Sequence, residues 1–260
     1  MGAVAVTSLV AAILAAGAYA SAAPVTALAI PDRDQHPQSP PSGWCGETAI
    51  QEALLHFGAW VSQNRIHAAG QSKHPDLYSD DIPRALDALG VRYDVYSPKT
   101  AGKTKGFAAY EAWVRAAIDA GDPVLAGVKI LPTEHPTWGL DHFVLAIGHG
   151  PKGLLVNTTW GRREWASDAT SKGISFANAF YALRLRGTGP PEGSTWTARL
   201  SVLDESPTEV RLQVRCGVPG ARVERRPGPN AKATSTDTLP KGETTVKLPA
   251  EESAYFRCLS

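Results

Sequence analysis

Gln38-Ser39-Pro40-Pro41-Ser42-Gly43-Trp44-Cys45-Gly46-Glu47 runs directly into an amphipathic helix. Ala49, Ile50, Ala53, Leu54 and Phe57 recur on one face of that helix, and Gly58 stops it. Cys45 therefore stands at a helix start, off the apolar face. Far downstream come Asp141-His142-Phe143-Val144-Leu145 and Leu154-Leu155-Val156-Asn157. A cysteine at a helix start, a histidine leading a strand and an asparagine ending the next strand can together assemble a thiol nucleophile.

Working outward, residues 23–41 hold five prolines and little periodicity, so they read as a linker or extended arm. Beyond Gly58, Ser62–Ala69 reads as a short helix. Asp80 or Asp81 caps another, with Ile82, Ala85, Leu86 and Leu89 inward and Pro83 tolerated in its first turn. Val91–Tyr96 alternates as a strand, and Phe107–Ala120 is a longer helix. The pattern then changes to short β-branched or aromatic runs between Gly and Pro: 123–130, 143–148, 154–158 and 181–185. Helices followed by a mostly antiparallel sheet make an α+β arrangement over residues 42–187. Gly187 to Ser194 marks a boundary. After it, Ala198/Leu200/Val202, Val210/Leu212/Val214/Cys216 and Val246/Leu248 alternate with polar residues, so 195–260 reads as a small all-β, sandwich-like module.

With 260 residues, 43% hydrophobic, 20% charged and a net charge of +1, the chain reads as globular, and nothing suggests a phosphate-binding surface, so nucleic acid is not expected as a partner. Residues 1–22 read as a secretory signal: an apolar, small-residue stretch ends in Ala20-Ser21-Ala22, although no positive charge precedes it. No other stretch is apolar enough to cross a bilayer, so the expectation is a secreted or periplasmic protein with no membrane contact after cleavage. Three cysteines is an odd count for an exported chain. Cys216 and Cys258 each end an alternating run and can pair, a link that stabilises by a few kcal/mol in the chain-entropy picture. Cys45 is then the free thiol.

Only a thiolate attacks. A sulfur at a helix N-terminus meets unpaired N–H groups and positive dipole charge, and an imidazolium alongside lowers its pKa further. His142 can project from the sheet toward that sulfur, with His149 and His135 as rivals. Asn157 ends the strand returning through a hairpin at 148–153 and is expected to orient the imidazole. The Cys45 backbone N–H supplies one oxyanion donor and the Gln38 side chain a second, with Gln35 as competitor.

These segments resemble the papain-like cysteine peptidases over roughly residues 35–187. The resemblance is strongest to the branch that cuts double-glycine leaders from bacteriocin precursors and to its stand-alone secreted relatives. It implies a papain-like fold with Cys45 as nucleophile, His142 as base and acid, Asn157 as orienter and Gln38 in the oxyanion hole. Glu47 stands where many relatives have Pro, Asn157 where many have Asp, and Thr158-Thr159-Trp160-Gly161 replaces their usual Asp-Pro continuation. Glu47 suits the helix dipole but opposes the thiolate charge.

The expected function is hydrolysis of a peptide or isopeptide bond in a peptide or protein substrate through an acyl-enzyme on Cys45. Two alternatives stand beside it: acyl transfer to an amine, as in transglutaminase-like folds, and a catalytically silent binding protein whose β-module holds a surface or protein ligand. Trp44, Trp138 and Trp160 flank the site residues and either line a substrate cleft or pack the core, as does Trp165. His36, His74 and His135 precede Pro and make no tight Cys/His cluster, so no metal is expected, and no cofactor is implied.

Overall fold

The computed structural model describes residues 25–35, 43–97, 106–130, 133, 137, 140–166, 180–189 and 195–259. Gln38, Trp138, His135 and the signal expected at 1–22 lie outside them. In chain order the elements are β1 (Thr26–Ala27), α1 (Cys45–His56), β2 (Ala59–Trp60), α2 (Gln63–Gly70), α3 (Asp81–Ala88), β3 (Val91–Val95), α4 (Gly106–Asp119), β4 (Val124–Val128), β5 (His142–Gly150), β6 (Gly153–Asn157), β7 (Arg163–Ala166), β8 (Ala182–Thr188), β9 (Thr195–Thr197), β10 (Arg199–Glu205), β11 (Glu209–Arg215), β12 (Ala221–Arg226), β13 (Ser235–Leu239), β14 (Glu243–Pro249) and β15 (Ala254–Leu259).

One antiparallel sheet runs β3-β8-β4-β5-β6-β7, with β1 added on β5. Alternation along β5 splits its side chains between two cores. Phe143, Leu145 and Ile147 join Ala49, Ile50, Ala53 and Leu54 of α1 and Ile82, Ala85 and Leu86 of α3. Val144 and Ala146 face the other way, toward Tyr110, Val114, Ala117 and Ile118 of α4. Helices thus cover both faces of the sheet, and the α+β class expected from the sequence is observed. Ser62 caps the N-terminus of α2, accepting from Arg65 N at 3.2 Å. Asp80 makes no such cap on α3. Its neighbour Asp81 instead accepts from Tyr78 N at 3.0 Å and Ser72 Oγ at 2.7 Å.

All twelve residues of α1 are buried, which one amphipathic face does not explain. The sheet covers one side. Arg33, from the arm, covers a second: its N donates to Glu52 Oε1 at 2.8 Å and its Nε to Gln51 Oε1 at 3.2 Å. The third side meets the C-terminal strands, where Leu55 joins their core. Burial of Ile50 and Leu54, both without exposed surface, is worth roughly 2 kcal/mol each.

The C-terminal strands form two sheets, β10-β11-β14 and β13-β12-β15-β2, with β9 paired to β15. Leu200, Val210, Leu212 and Val214 of the first sheet meet Ala221, Val223, Phe256 and Cys258 of the second in a shared core. β2 belongs to this second sheet although it directly follows α1. Ala254 pairs with Trp60 and Tyr255 with Ala59, and Trp60 Nε1 donates to Ala250 O at 3.0 Å. Gly58 makes this junction possible. Its φ is +74°, and a Cβ there would stand 2.7 Å from Phe256 O and 2.8 Å from Ala198 O. Cys216 and Cys258 form a disulfide with Cα atoms 5.7 Å apart. Cys45 is left as the free cysteine. None of the described helices is long and apolar enough to cross a membrane.

Candidate active site

Cys45 is the first residue of α1, and Trp44 at its N-cap offers no side-chain cap. The first-turn N–H groups therefore lack intrahelical partners. α1 lies across the start of β5, and Phe143 N–H donates to Cys45 Sγ at 3.3 Å, linking positions 98 residues apart. The sulfur thus sits against the residue adjacent to His142. Cys45 is only 6% exposed.

His142 heads β5, paired with Val128 of β4. That strand end is pinned by its neighbour: Asp141 accepts from Ile130 N at 2.7 Å and pairs with Lys129 Nζ at 3.1 Å. His142 Nε2 lies 3.0 Å from Thr158 O and 3.4 Å from Thr159 Oγ1. A carbonyl oxygen only accepts, so this contact places the proton on Nε2 and leaves Nδ1 as the basic nitrogen. Trp160 stacks on the imidazole at 4.4 Å and 18°, and Arg162 lies over the outer indole face at 5.2 Å.

The Asn157 side chain, expected to orient the imidazole, is hydrogen-bonded elsewhere. Asn157 pairs with Leu145, and the β5–β6 register shifts between Ala146 and Gly148. Extending that register past Asn157 puts residue 160 level with His142, which is where the Trp160 ring stands. The Asn157 side chain points elsewhere: Nδ2 donates to Pro31 O at 3.1 Å and Oδ1 accepts from Arg163 Nε at 3.2 Å. The residue after it supplies the imidazole's partner through its backbone. That turn is itself constrained. Thr158 Oγ1 donates to Arg162 O at 2.7 Å, and the buried, β-branched Thr159 holds φ at +69°, an uncommon conformation that clusters at functional sites.

The arm closes over the same turn. Gln35 N donates to Thr159 O at 2.9 Å, and Asp34 bridges to Trp160. Gln35 also reaches the loop before Cys45: a Cβ on Gly43, whose φ is +73°, would stand 2.8 Å from Gln35 Oε1. The glutamine amide found beside the Cys45 loop is therefore that of Gln35, and Gln38 falls outside the described residues. Among the other expected residues, Trp44 stacks flat on His67 at 5.0 Å and donates from Nε1 to Pro75 O at 2.8 Å. His149 is held by Arg115 at 3.0 Å and Asp119 at 2.7 Å, away from the thiol. Trp165 packs against Gly150.

Electrostatics correct a second expectation. The Cys45 thiol is pushed up to about 12, chiefly by burial. The Phe143 and Gly46 N–H groups pull it down, while Glu47 and Asp76 add to the rise. His142 is pushed down to about 4, again by burial, against the opposing pull of the Thr158 carbonyl and Asp141. Desolvation exceeds the helix-terminus effect, which favours the neutral thiol and the neutral imidazole.

Among the described residues no group of three or more His, Cys, Asp or Glu side chains could hold a metal ion. No protein-family model matches the chain. No curated protein matches it either. A solved structure from Bacillus anthracis, described provisionally as a C39-like peptidase, matches with a TM-score of 0.43 and 13% identity over 63% of this chain and 98% of that one.

Proposed function

We propose that the chain is a papain-like cysteine hydrolase that cleaves a peptide or isopeptide bond through an acyl-enzyme. In this reading Cys45 Sγ attacks the carbonyl carbon while His142 Nδ1 accepts the thiol proton. Thr158 O holds Nε2–H throughout, and the imidazolium then protonates the leaving amine. The oxyanion is met by the Cys45 N–H and the Gln35 side-chain amide. Water attacks the resulting thioester and releases the second product. The Cys216–Cys258 disulfide fits an oxidising, extracytoplasmic compartment.

The observation that supports this reading is the 3.3 Å contact from Phe143 N–H to Cys45 Sγ, which sets a helix-terminal thiol against the residue that follows a histidine of fixed tautomer. Incubation with a proteome-derived peptide mixture, followed by mass spectrometry of new termini, tests it. The wild type should generate new termini; Cys45→Ala and His142→Gln should lower the rate at least ~10³-fold, the scale of losing a nucleophile or its base. The low exposure and high pKa of Cys45 favour a second reading, a silent site on the same fold. Absence of new termini from folded wild type would select it.

A further inference from the structure

We infer that Glu47 and His67 form a second proton-holding pair beside the nucleophile, and that its charge sets how readily Cys45 ionises. The inference rests on Cys45 being the reactive thiol. Glu47 lies in the first turn of α1, two residues after Cys45. An acidic side chain there ordinarily reaches solvent and favours the helix dipole. This one is fully buried. Its Oε1 lies 2.8 Å from His67 Nδ1 on α2 and accepts from Leu77 N at 3.1 Å. Its Oε2 is buried with no hydrogen-bond partner among the described residues. The Trp44 indole lies parallel on the His67 ring, so the residue preceding the thiol clamps the pair's other member.

The surrounding charges make this pair the variable one. From the loop before α3, Asp76 adds a second carboxylate, with His74 opposing it. On α3, Asp81 is already engaged by Ser72, Tyr78 N and Arg84. From the sheet side come His142 and the Lys129–Asp141 ion pair. Of these groups Glu47 contributes the largest charge effect on Cys45, and it opposes the thiolate. Burial lifts Glu47 to about 7 against the pull of His67, so its proton is exchanged near neutrality.

The sign follows. At lower pH Glu47 is protonated and uncharged. As pH rises and its proton leaves, a negative charge appears behind the thiol, and forming the thiolate becomes harder. The thiol thus titrates against a rising opposing charge. Glu47 acts through Cys45 and is a positioning residue, not a catalytic one.

The test is the second-order rate of Cys45 alkylation by iodoacetamide between pH 5 and 10, on the full chain with its disulfide intact, read by intact mass. The wild type should show a shallow, two-phase profile. Glu47→Gln should convert it to one phase of unit slope and raise the rate at pH 8 about tenfold, the equivalent of one unit in thiol pKa. A merely structural Glu47 would lower stability without moving the profile. Identical profiles for wild type and Glu47→Gln overturn the inference. Should Glu47→Gln fail to fold, the wild-type curve decides alone: a single phase of unit slope overturns the inference and a two-phase curve supports it. Because iodoacetamide needs no turnover, this outcome is independent of whether the chain hydrolyses peptides.

Discussion

At His142 one hydrogen bond determines which nitrogen can act as base, and burial determines when. The Thr158 carbonyl fixes Nε2–H, while Trp160 and the surrounding wall hold the imidazole well below its ordinary range, at about 4. Removing the wall should undo the second effect and spare the first. Trp160→Ala opens one ring face to water, so the imidazolium is better solvated and its pKa moves up toward the ordinary histidine value. A histidine titration followed by NMR should show this resonance shifting from about 4 upward by one to two units, on the order expected for relief of burial. An unchanged midpoint would mean that Trp160 is not what desolvates the ring. Cys45 and His142 stand out in the sequence because thiol and imidazole are rare and their order is informative. The Thr158 carbonyl does not, since every residue carries one. Asn157 pairs with Leu145, three residues along β5 from His142; matching the end of one strand to the start of the other, without counting the register back from the turn, hides that offset.

The arm and α1 meet through two carboxyl groups that ordinary helix patterns do not announce. Glu52 is pushed well above its usual range by burial, with Asp32 close by, and Asp32 is raised as well, also by burial. Both carboxyls therefore bind protons more tightly folded than unfolded. Their contribution to stability is fully present below the unfolded pKa, near 4, and is lost as pH rises through the raised folded values. Glu52→Gln removes the charge and keeps the Oε1 that accepts from Arg33 N. It should raise the urea midpoint at pH 8 and have little effect or lower it at pH 4. The opposite pH dependence would show that the pair is ionised in the fold. The turn after α1 gives a steric counterpart. Gly58→Ala places a Cβ 2.7 Å from Phe256 O at a φ of +74°. It should cost on the order of 2 kcal/mol or more by thermal unfolding. Gly58 was readable as a helix stop, but the approach of β15 was not, because β2 is two residues long and carries no period.

Across the whole molecule, α1 is enclosed by the arm, the central sheet and the C-terminal strands, so the helix that begins at Cys45 depends on all three. The alternation of the C-terminal strands was visible as a period of two. Their fusion to the first part through β2 and Trp60 was not, because it depends on tertiary pairing. The disulfide closes a separation of 42 residues, worth roughly 4 kcal/mol in chain entropy. Cys216→Ser with Cys258→Ser should lower the unfolding midpoint accordingly and leave Cys45 chemistry unchanged while the fold persists. A drop in Cys45 reactivity at a temperature where the variant stays folded would show that these strands tune the site as well as support it. On the proposed reading, this enclosed thiol and imidazole act together on a bound electrophile. The most direct measurement is intact mass after incubation with an epoxysuccinyl peptide inhibitor of thiol proteases. One added inhibitor mass, mapped to Cys45, is expected on the wild type and none on Cys45→Ala or His142→Gln. A folded wild type that stays unmodified, or a His142→Gln variant labelled as fast as wild type, would contradict it.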